Sequence, residues 1–445
     1  MANPSTEHLR LTSLHQDSDH ESDGSVSDYG DSDTGYRGVR TNKQMEPEQA
    51  QLSQPEDNAS SKKPGLGQEI RRYPKVTLYI LGVATAALLS GYDDVIVSTV
   101  PSVTQFKKDF GEQYGSDQNE YIIPSVWLSL WSALGSLGQI FGALASGPWQ
   151  DHSGRRWPLA IGSVISAVAI AVTYTSNLPD SIGTRRGVFL IGEMVQRFAT
   201  GTATATASTY ISETVPTSLR GSAMALIPTF ILVGQLAGAL VIFGSSGGDA
   251  SSSYLIAINS MWPFSAVPFV AALLIPESPS YLLRKGRLVD ARAALSKLYP
   301  RDEDSGRVFG ELQDAISLEK RTGDKVHYIE CFRGTNLRRT LIVAFARLMP
   351  CLFGLSLLSN ASYFLQMVGM DDQYSLIVFA LGIALGLVAN ASSVWISTLF
   401  GRRNLMLTTL SVTTVLWLGM GISGFWPSSP VVPWYVSKTN CDFSS

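Results

Sequence analysis

From residue 74 onward, stretches of mostly apolar residues alternate with short polar connections. Each stretch holds roughly 20 residues, which at ~1.5 Å per residue reaches across a hydrocarbon layer of ~30 Å. With no water there to satisfy backbone polar groups, such stretches become helices. The runs lie near 76–100, 122–146, 157–176, 187–208, 222–244, 254–275, 340–364, 374–399 and 404–425, about nine in all. This pattern excludes a soluble domain and predicts an all-α polytopic membrane protein. Residues 74–275 form a six-helix N-terminal bundle, and 276–339 a polar connection with short amphipathic helices. In that connection, Leu288 to Lys297 shows helical periodicity that ends before Pro300. Residues 340–425 form a partial second bundle of about three helices, and 426–445 an irregular tail too short and polar to cross again.

Residues 1–73 are rich in Ser, Asp, Glu, Gln and Gly. They hold too little apolar surface to offset chain entropy, so a disordered tail is expected. Met1 to Ser18 has no continuous apolar core, so it is no signal peptide. This tail explains why the whole-chain averages look nearly soluble, at 45% hydrophobic residues, 16% charged and mean hydropathy +0.12. The net charge of −3 gives no indication of nucleic acid as a partner, since much of the acid sits in the tail. Basic residues instead fix orientation, because cationic loops are retained in the cytoplasm. Lys62, Lys63, Arg71, Arg72 and Lys75 precede the first span, Arg155 and Arg156 follow the second, Arg220 the fourth, and Arg402 and Arg403 the eighth. All fall on one side together with the 276–339 connection, which places the N-terminus in the cytoplasm. The three cysteines have no metal-site or disulfide spacing, and all five histidines lie outside the apolar runs. Intramembrane proton chemistry, if present, falls to carboxylates.

Four motifs add chemistry. Gly147-Pro148-Trp149-Gln150-Asp151-His152-Ser153-Gly154-Arg155-Arg156 joins spans two and three with the pattern G-x-x-x-D-x-x-G-R-R. Its glycines permit a tight reversal and its arginines pair with carboxylates or phosphates. After span six, Pro276-Glu277-Ser278-Pro279-Ser280-Tyr281-Leu282-Leu283-Arg284-Lys285-Gly286-Arg287 reads P-E-S-P-x-aromatic-L-x-x-K-G-R. Glu213, Pro216, Arg220 and Gly221 read E-x-x-P-x-x-x-R-G after span four, and Trp395 with Gly401-Arg402-Arg403 echoes the first loop motif six spans later. In these motifs the chain resembles the sugar porter family of the major facilitator superfamily, in particular its fungal-type sugar or polyol proton symporters. The resemblance covers most of 76–403.

The resemblance implies a major facilitator fold with a complete six-helix first half and a second half stopping after the ninth span. The family's spans ten to twelve are not found, and a chain so shortened is expected to transport poorly or not at all. The implied cytoplasmic gate comprises Gly147, Asp151, Gly154, Arg155, Arg156, Glu213, Arg220, Pro276, Glu277, Ser278, Pro279, Gly401, Arg402 and Arg403. In the family these motifs pair to latch the two halves when the site faces outward, so Glu213 and Glu277 are expected to contact some of Arg155, Arg156, Arg220, Arg402 and Arg403. Asp93 in Gly91-Tyr92-Asp93 resembles the family's proton-coupling aspartate, and Asp94 lies on another helix face. Where relatives place Arg or Lys, twenty residues before the span-four glutamate, this chain has Glu193, with Arg197 one turn on. A Glu193 to Arg197 pair would be internally neutral, and Arg197 stands in for the missing base. The candidate sugar ligands are Gln235, which matches a family glutamine, with Asn360 and Tyr363. Asn360 fits an interhelical hydrogen bond equally well.

The function expected of a full-length relative is therefore alternating-access transport of a sugar or polyol, coupled to protons, in the plasma membrane. Its partners are lipid and a small-molecule sugar or polyol, with no nucleic acid and no obligate protein partner. The proton is the only coupling ion expected, and no cofactor or metal is. A non-transporting sugar sensor is the alternative, for which the long tail would suit. An enzyme is not expected, for no metal cluster, phosphate loop or nucleophile elbow is found.

Overall fold

A computed structural model of the chain describes residues 70–113, 121–246, 253–299, 302–322, 328–352, 361–367 and 370–423. The expected tails, most of 1–73 and all of 426–445, lie outside the described residues, as do Pro300 and Asn360.

The architecture is helical. α1 (Pro74–Thr99) opens with proline at its first position, where a missing N–H is harmless. A short 3-10 turn leads to α2 (Thr104–Phe110), and two brief antiparallel strands, β1 (Glu112–Gln113) and β2 (Tyr121–Ile122), follow. The long helices α3 (Ser125–Ser153), α4 (Arg156–Tyr174), α5 (Ile182–Thr214) and α6 (Thr217–Ser246) continue the bundle, which α7 (Ser253–Asn259) and α8 (Met261–Leu274) complete. The connection holds α9 (Pro279–Arg284), α10 (Leu288–Leu298) and α11 (Asp302–Thr322). Beyond it come α12 (Gly334–Leu352), α13 (Ala361–Met367), α14 (Asp372–Phe400) and α15 (Arg402–Ser423).

Among the described residues, 6 segments are long and apolar enough to cross a membrane: Pro74–Ser102, Ser125–Ser153, Arg156–Asn177, Leu219–Ser245, Tyr254–Leu274 and Gln373–Ser393. α5 is longer than any of these but carries Arg185, Arg186, Glu193 and Arg197. Of the expected span 340–364, α12 and α13 cover the described parts, and residues 353–360 lie outside the described residues. α10 falls on the segment whose periodicity the sequence displays, and it turns Ala291, Ala294, Leu295 and Leu298 inward.

Two apolar cores form, one at each end of the bundle. At the end bearing Gly154, Tyr73, Val76, Leu159, Tyr210 and Ile275 pack with Leu282, Leu283, Leu295, Leu298 and Tyr299. This core ties the 276–339 connection to the six-helix bundle. At the opposite end, Phe106 and Phe110 of α2 pack with Trp131, Phe189 and Tyr254, and Leu376 and Ile383 of α14 join the same cluster. Between them lies a layer of small and polar residues. Asp93, Ser166, Glu193, Gln196, Thr200, Thr202 and Thr206 are all buried there. α5 supplies most of them because its run Ala199-Thr200-Gly201-Thr202-Ala203 lets neighbouring backbones approach closely. The hydroxyls of Thr202 and Thr206 satisfy themselves on the carbonyls one turn back, at 3.0 and 2.7 Å. The outer faces carry exposed Leu137, Ile140, Phe141, Leu144, Val164 and Val168, as a lipid-facing surface requires.

Candidate functional site

Two clusters gather most of the expected residues. The first sits in the middle layer. α1 brings Asp93, fully buried at 0% exposure, and Asp94 beside it; α5 brings Glu193, at 1%, and Arg197. Arg197 Nε lies 2.9 Å from Asp93 Oδ2, while its Nη1 donates to Asp94 Oδ1. The guanidinium thus forks across two carboxylates of the neighbouring helix, a geometry that lysine cannot reproduce. The Nε–H is not aimed at Asp93, and neither oxygen of Asp93 has a hydrogen-bond partner among the described residues. This contact is an ion pair by distance with its hydrogen-bonding capacity still open.

One expectation is corrected here. Glu193 does not pair with Arg197 one turn along, since Arg197 reaches over to α1, where two carboxylates attract it more strongly than one; Asp94, on the next face of α1, is the one that Arg197 bonds. Oε2 of Glu193 is left buried with no hydrogen-bond partner among the described residues.

The second cluster lies at the Gly154 end. Gly154 closes α3 at φ 89°, and a Cβ there would run into the Glu277 carboxylate. Glycine is therefore required twice over, by conformation and by space. Arg155, 3% exposed, donates to both oxygens of Glu213 at 2.9 and 2.7 Å. Ser278 donates its hydroxyl to Glu213 and also caps α9, whose first residue is Pro279. Glu277 accepts from the backbone N–H groups of Arg155 and Arg156, at 2.7 and 3.4 Å, rather than from a guanidinium. Arg156 instead donates to the carbonyls of Ala272 and Leu273 at the end of α8. The Tyr210 hydroxyl donates to the carbonyl of Pro276 at 3.0 Å. Asp151 is exposed, 3.8 Å from Arg155, and Gly147 lies within α3.

Of the expected gate contacts, Glu213 meets the Arg155 guanidinium and Glu277 the backbone of Arg155 and Arg156; the partners found are residues of the six-helix bundle and of the connection's first turn. Arg220 and Arg403 are exposed, and Gly401 ends α14 at φ 74°. The side chain of Arg402 lies outside the described residues. The physical reason is reach. Arg155 sits on the turn beside α5 and the start of α9, so its fork finds Glu213 without leaving its own bundle. Because Arg155 and Glu213 side chains are only 4% and 16% exposed, Glu213→Ala leaves a buried guanidinium without its carboxylate. The expected loss is about 1.5–3 kcal/mol of stability, read as a lower unfolding temperature of the purified protein, with Glu213→Gln losing less. An unchanged unfolding temperature would show the pair to be dispensable.

Of the candidate sugar ligands, Gln235 is half-buried on α6. The side chain of Tyr363, like all of Asn360, lies outside the described residues. A polar link missed in the sequence joins α6 to α14: Thr229 donates to Asn390 Oδ1 at 2.8 Å. Asn390 carries the same signal that singled out Asn360, a carboxamide within an apolar run. At the α2 end, Lys107 donates to Gln366 of α13 at 3.1 Å, and Gln366 donates to Ser375 of α14 at 3.2 Å.

Family comparison fits this geometry. The family described as "Sugar (and other) transporter" matches residues 79–437. The chain belongs to that family. This sugar-transporter-family chain is 28% identical over 341 residues to the MFS transporter fmqE of Aspergillus fumigatus, covering 75% of this chain and 62% of that one. It is 25% identical over 360 residues to the maltose permease MAL61 of Saccharomyces cerevisiae, covering 79% and 57%. The chain therefore spans about three fifths of the length of these curated relatives. Its fold is that of the major facilitator superfamily: it superposes on the proton:xylose symporter XylE of E. coli with a TM-score of 0.67, at 18% identity, over 83% of this chain and 79% of XylE.

Proposed function

We propose that the protein moves a sugar or polyol across the plasma membrane by alternating access, coupled to protons through Asp93 and Arg197. The observation that carries this reading is the Asp93–Arg197 ion pair, buried in the middle layer of a bundle whose family transports sugars. An ionisable pair at that depth is too costly to keep for packing alone. Neutralising Asp93 frees Arg197 to lean wholly on Asp94, so a proton and a rearrangement of α1 against α5 are linked. At the α2 end, Lys107, Gln366, Leu376 and Ile383 bring α13 and α14 against the first bundle, and with the N-terminus in the cytoplasm, as the basic loops favour, that contact lies on the outer side. Thr229 and Asn390 join α6 to α14 further along, where the halves of such a fold meet over a centrally bound substrate, and Gln235 stands on the same helix as Thr229.

The test is uptake of radiolabelled maltose, glucose and xylose by cells that lack their own sugar carriers and express this protein. Uptake of at least one sugar, abolished by a protonophore, is expected. Asp93→Asn should remove accumulation against a gradient while leaving exchange of internal for external sugar. Accumulation that persists in Asp93→Asn contradicts the coupling role, and no uptake of any sugar or polyol contradicts the transport reading.

A further inference from the structure

The middle-layer cluster has more acid than base. Asp93, Asp94 and Glu193 face one guanidinium, Arg197, so full ionisation would leave two uncompensated negative charges in a buried place. Such a charge excess is relieved by protonation before it is tolerated. Which carboxylate takes the proton follows from contacts. Asp94 accepts directly from Arg197 and its side chain is 35% exposed, so it is both partnered and partly solvated. Asp93 is buried but within ion-pair distance of Arg197. Glu193 is equally buried, makes no ion pair among the described residues, and has an orphaned Oε2.

Among the described residues, the surroundings of Glu193 offer no second cation. The charged groups acting on it are Asp93 and Asp94 of α1 and Arg197 of its own helix. α3 meets this stretch of α5 through Gly135, against Arg197, and Gly138, against Met194. α4 meets it through Thr173, against Gly192, and through Ser166, which donates to Gln196. All of these are uncharged.

We propose that Glu193 is a resident carboxylic acid that holds a proton at neutral pH, and that the cluster becomes electroneutral only when Asp93 takes a second one. Glu193 thereby replaces the family's base with a neutral acid, and Arg197 from the next turn supplies the charge. A deprotonated Glu193 would compete with Asp93 and Asp94 for Arg197; kept neutral, it leaves the guanidinium to α1. The role in transport rests on the proton-coupled reading above, but the protonation itself does not.

Infrared spectroscopy of the purified protein in lipid tests this without any transport measurement, because a protonated carboxyl has a carbonyl stretch separate from that of a carboxylate. At neutral pH the wild type is expected to show a buried carboxylic acid band that Glu193→Gln removes and Asp93→Asn leaves. On acidification a second band should grow, absent in Asp93→Asn and present in Glu193→Gln. Wild-type protein labelled with 13C-glutamate should shift the first band and not the second, which keeps the test sound if Glu193→Gln folds poorly. Absence of a protonated-carboxyl band at neutral pH, or a neutral-pH band that glutamate labelling does not shift, would overturn the proposal. A band that behaves as expected in a protein that takes up no sugar would leave it standing and sink only the transport reading.

Discussion

Arg197→Leu is expected to destabilise the protein by about 3–5 kcal/mol, the range seen when one partner of a buried ion pair is removed, and to abolish sugar uptake. Two carboxylates of α1 lean on this guanidinium, and Asp93 is fully buried with no hydrogen-bond partner among the described residues. Without the cation, the cluster must either take up protons or admit water between α1 and α5. Both responses separate the ion-pair reading from loss of packing. Arg197→Leu with Asp93→Asn removes a charge of each sign, so the pair of changes should recover part of the stability lost by the first. Arg197→Lys retains the charge but not the fork to Asp93 and Asp94, and it should fall between the wild type and Arg197→Leu. Unfolding temperatures of the four proteins in one detergent decide the matter. If Arg197→Leu unfolds with the wild type, or the double variant is worse than the single, the cluster is not held by charge.

The hydrophobic pattern makes the helices legible and leaves the contacts between them largely hidden. Long apolar runs specify α1, α3, α4, α6, α8 and α14 because a low-dielectric surrounding allows few other structures. α5 is legible as the run 187–208 even though Glu193 and Arg197 dilute its apolar signal. The short β1–β2 pair has no period strong enough to announce it. At the sites, residue types were legible and pairings were not. Arg155, Glu213 and Glu277 are marked by motif, yet the sequence does not say that Glu277 serves two backbone N–H groups while Glu213 takes the guanidinium. Likewise a helical wheel places Asp94 away from Asp93, but an arginine side chain is long enough to span both faces. Thr229 and Asn390 come together only because α6 and α14 cross, a relation between residues 161 positions apart.

The crossing of α1 and α6 is the point at which substitution should do most harm outside the charged cluster. A glycine sits on each helix at the contact: a Cβ on Gly91 would overlap the carbonyl of Ile231, and one on Gly234 would overlap the carbonyl of Leu88. Backbone meets backbone reciprocally, so no side chain can swing aside to make room. Forcing apart a packed contact costs about 1–3 kcal/mol and at times more, and the two opposed backbones place Gly91→Val and Gly234→Val at or above the upper end. Asp93 lies two residues beyond Gly91 on α1, so a displaced α1 also carries its carboxylates away from Arg197. Loss of uptake and loss of folded protein are therefore expected together. Gly91→Val with Gly234→Val should be less harmful than the sum of the two, since the first change already opens the crossing that the second would strain. Gly187, with nothing within 4 Å of a built Cβ, is the control. There alanine should be neutral or stabilising by up to about 1 kcal/mol, through helix propensity alone. Yield of monodisperse protein and unfolding temperature for these variants measure the effect, and a Gly91→Val protein as stable as the wild type would mean that α1 and α6 do not touch as closely as their glycines allow.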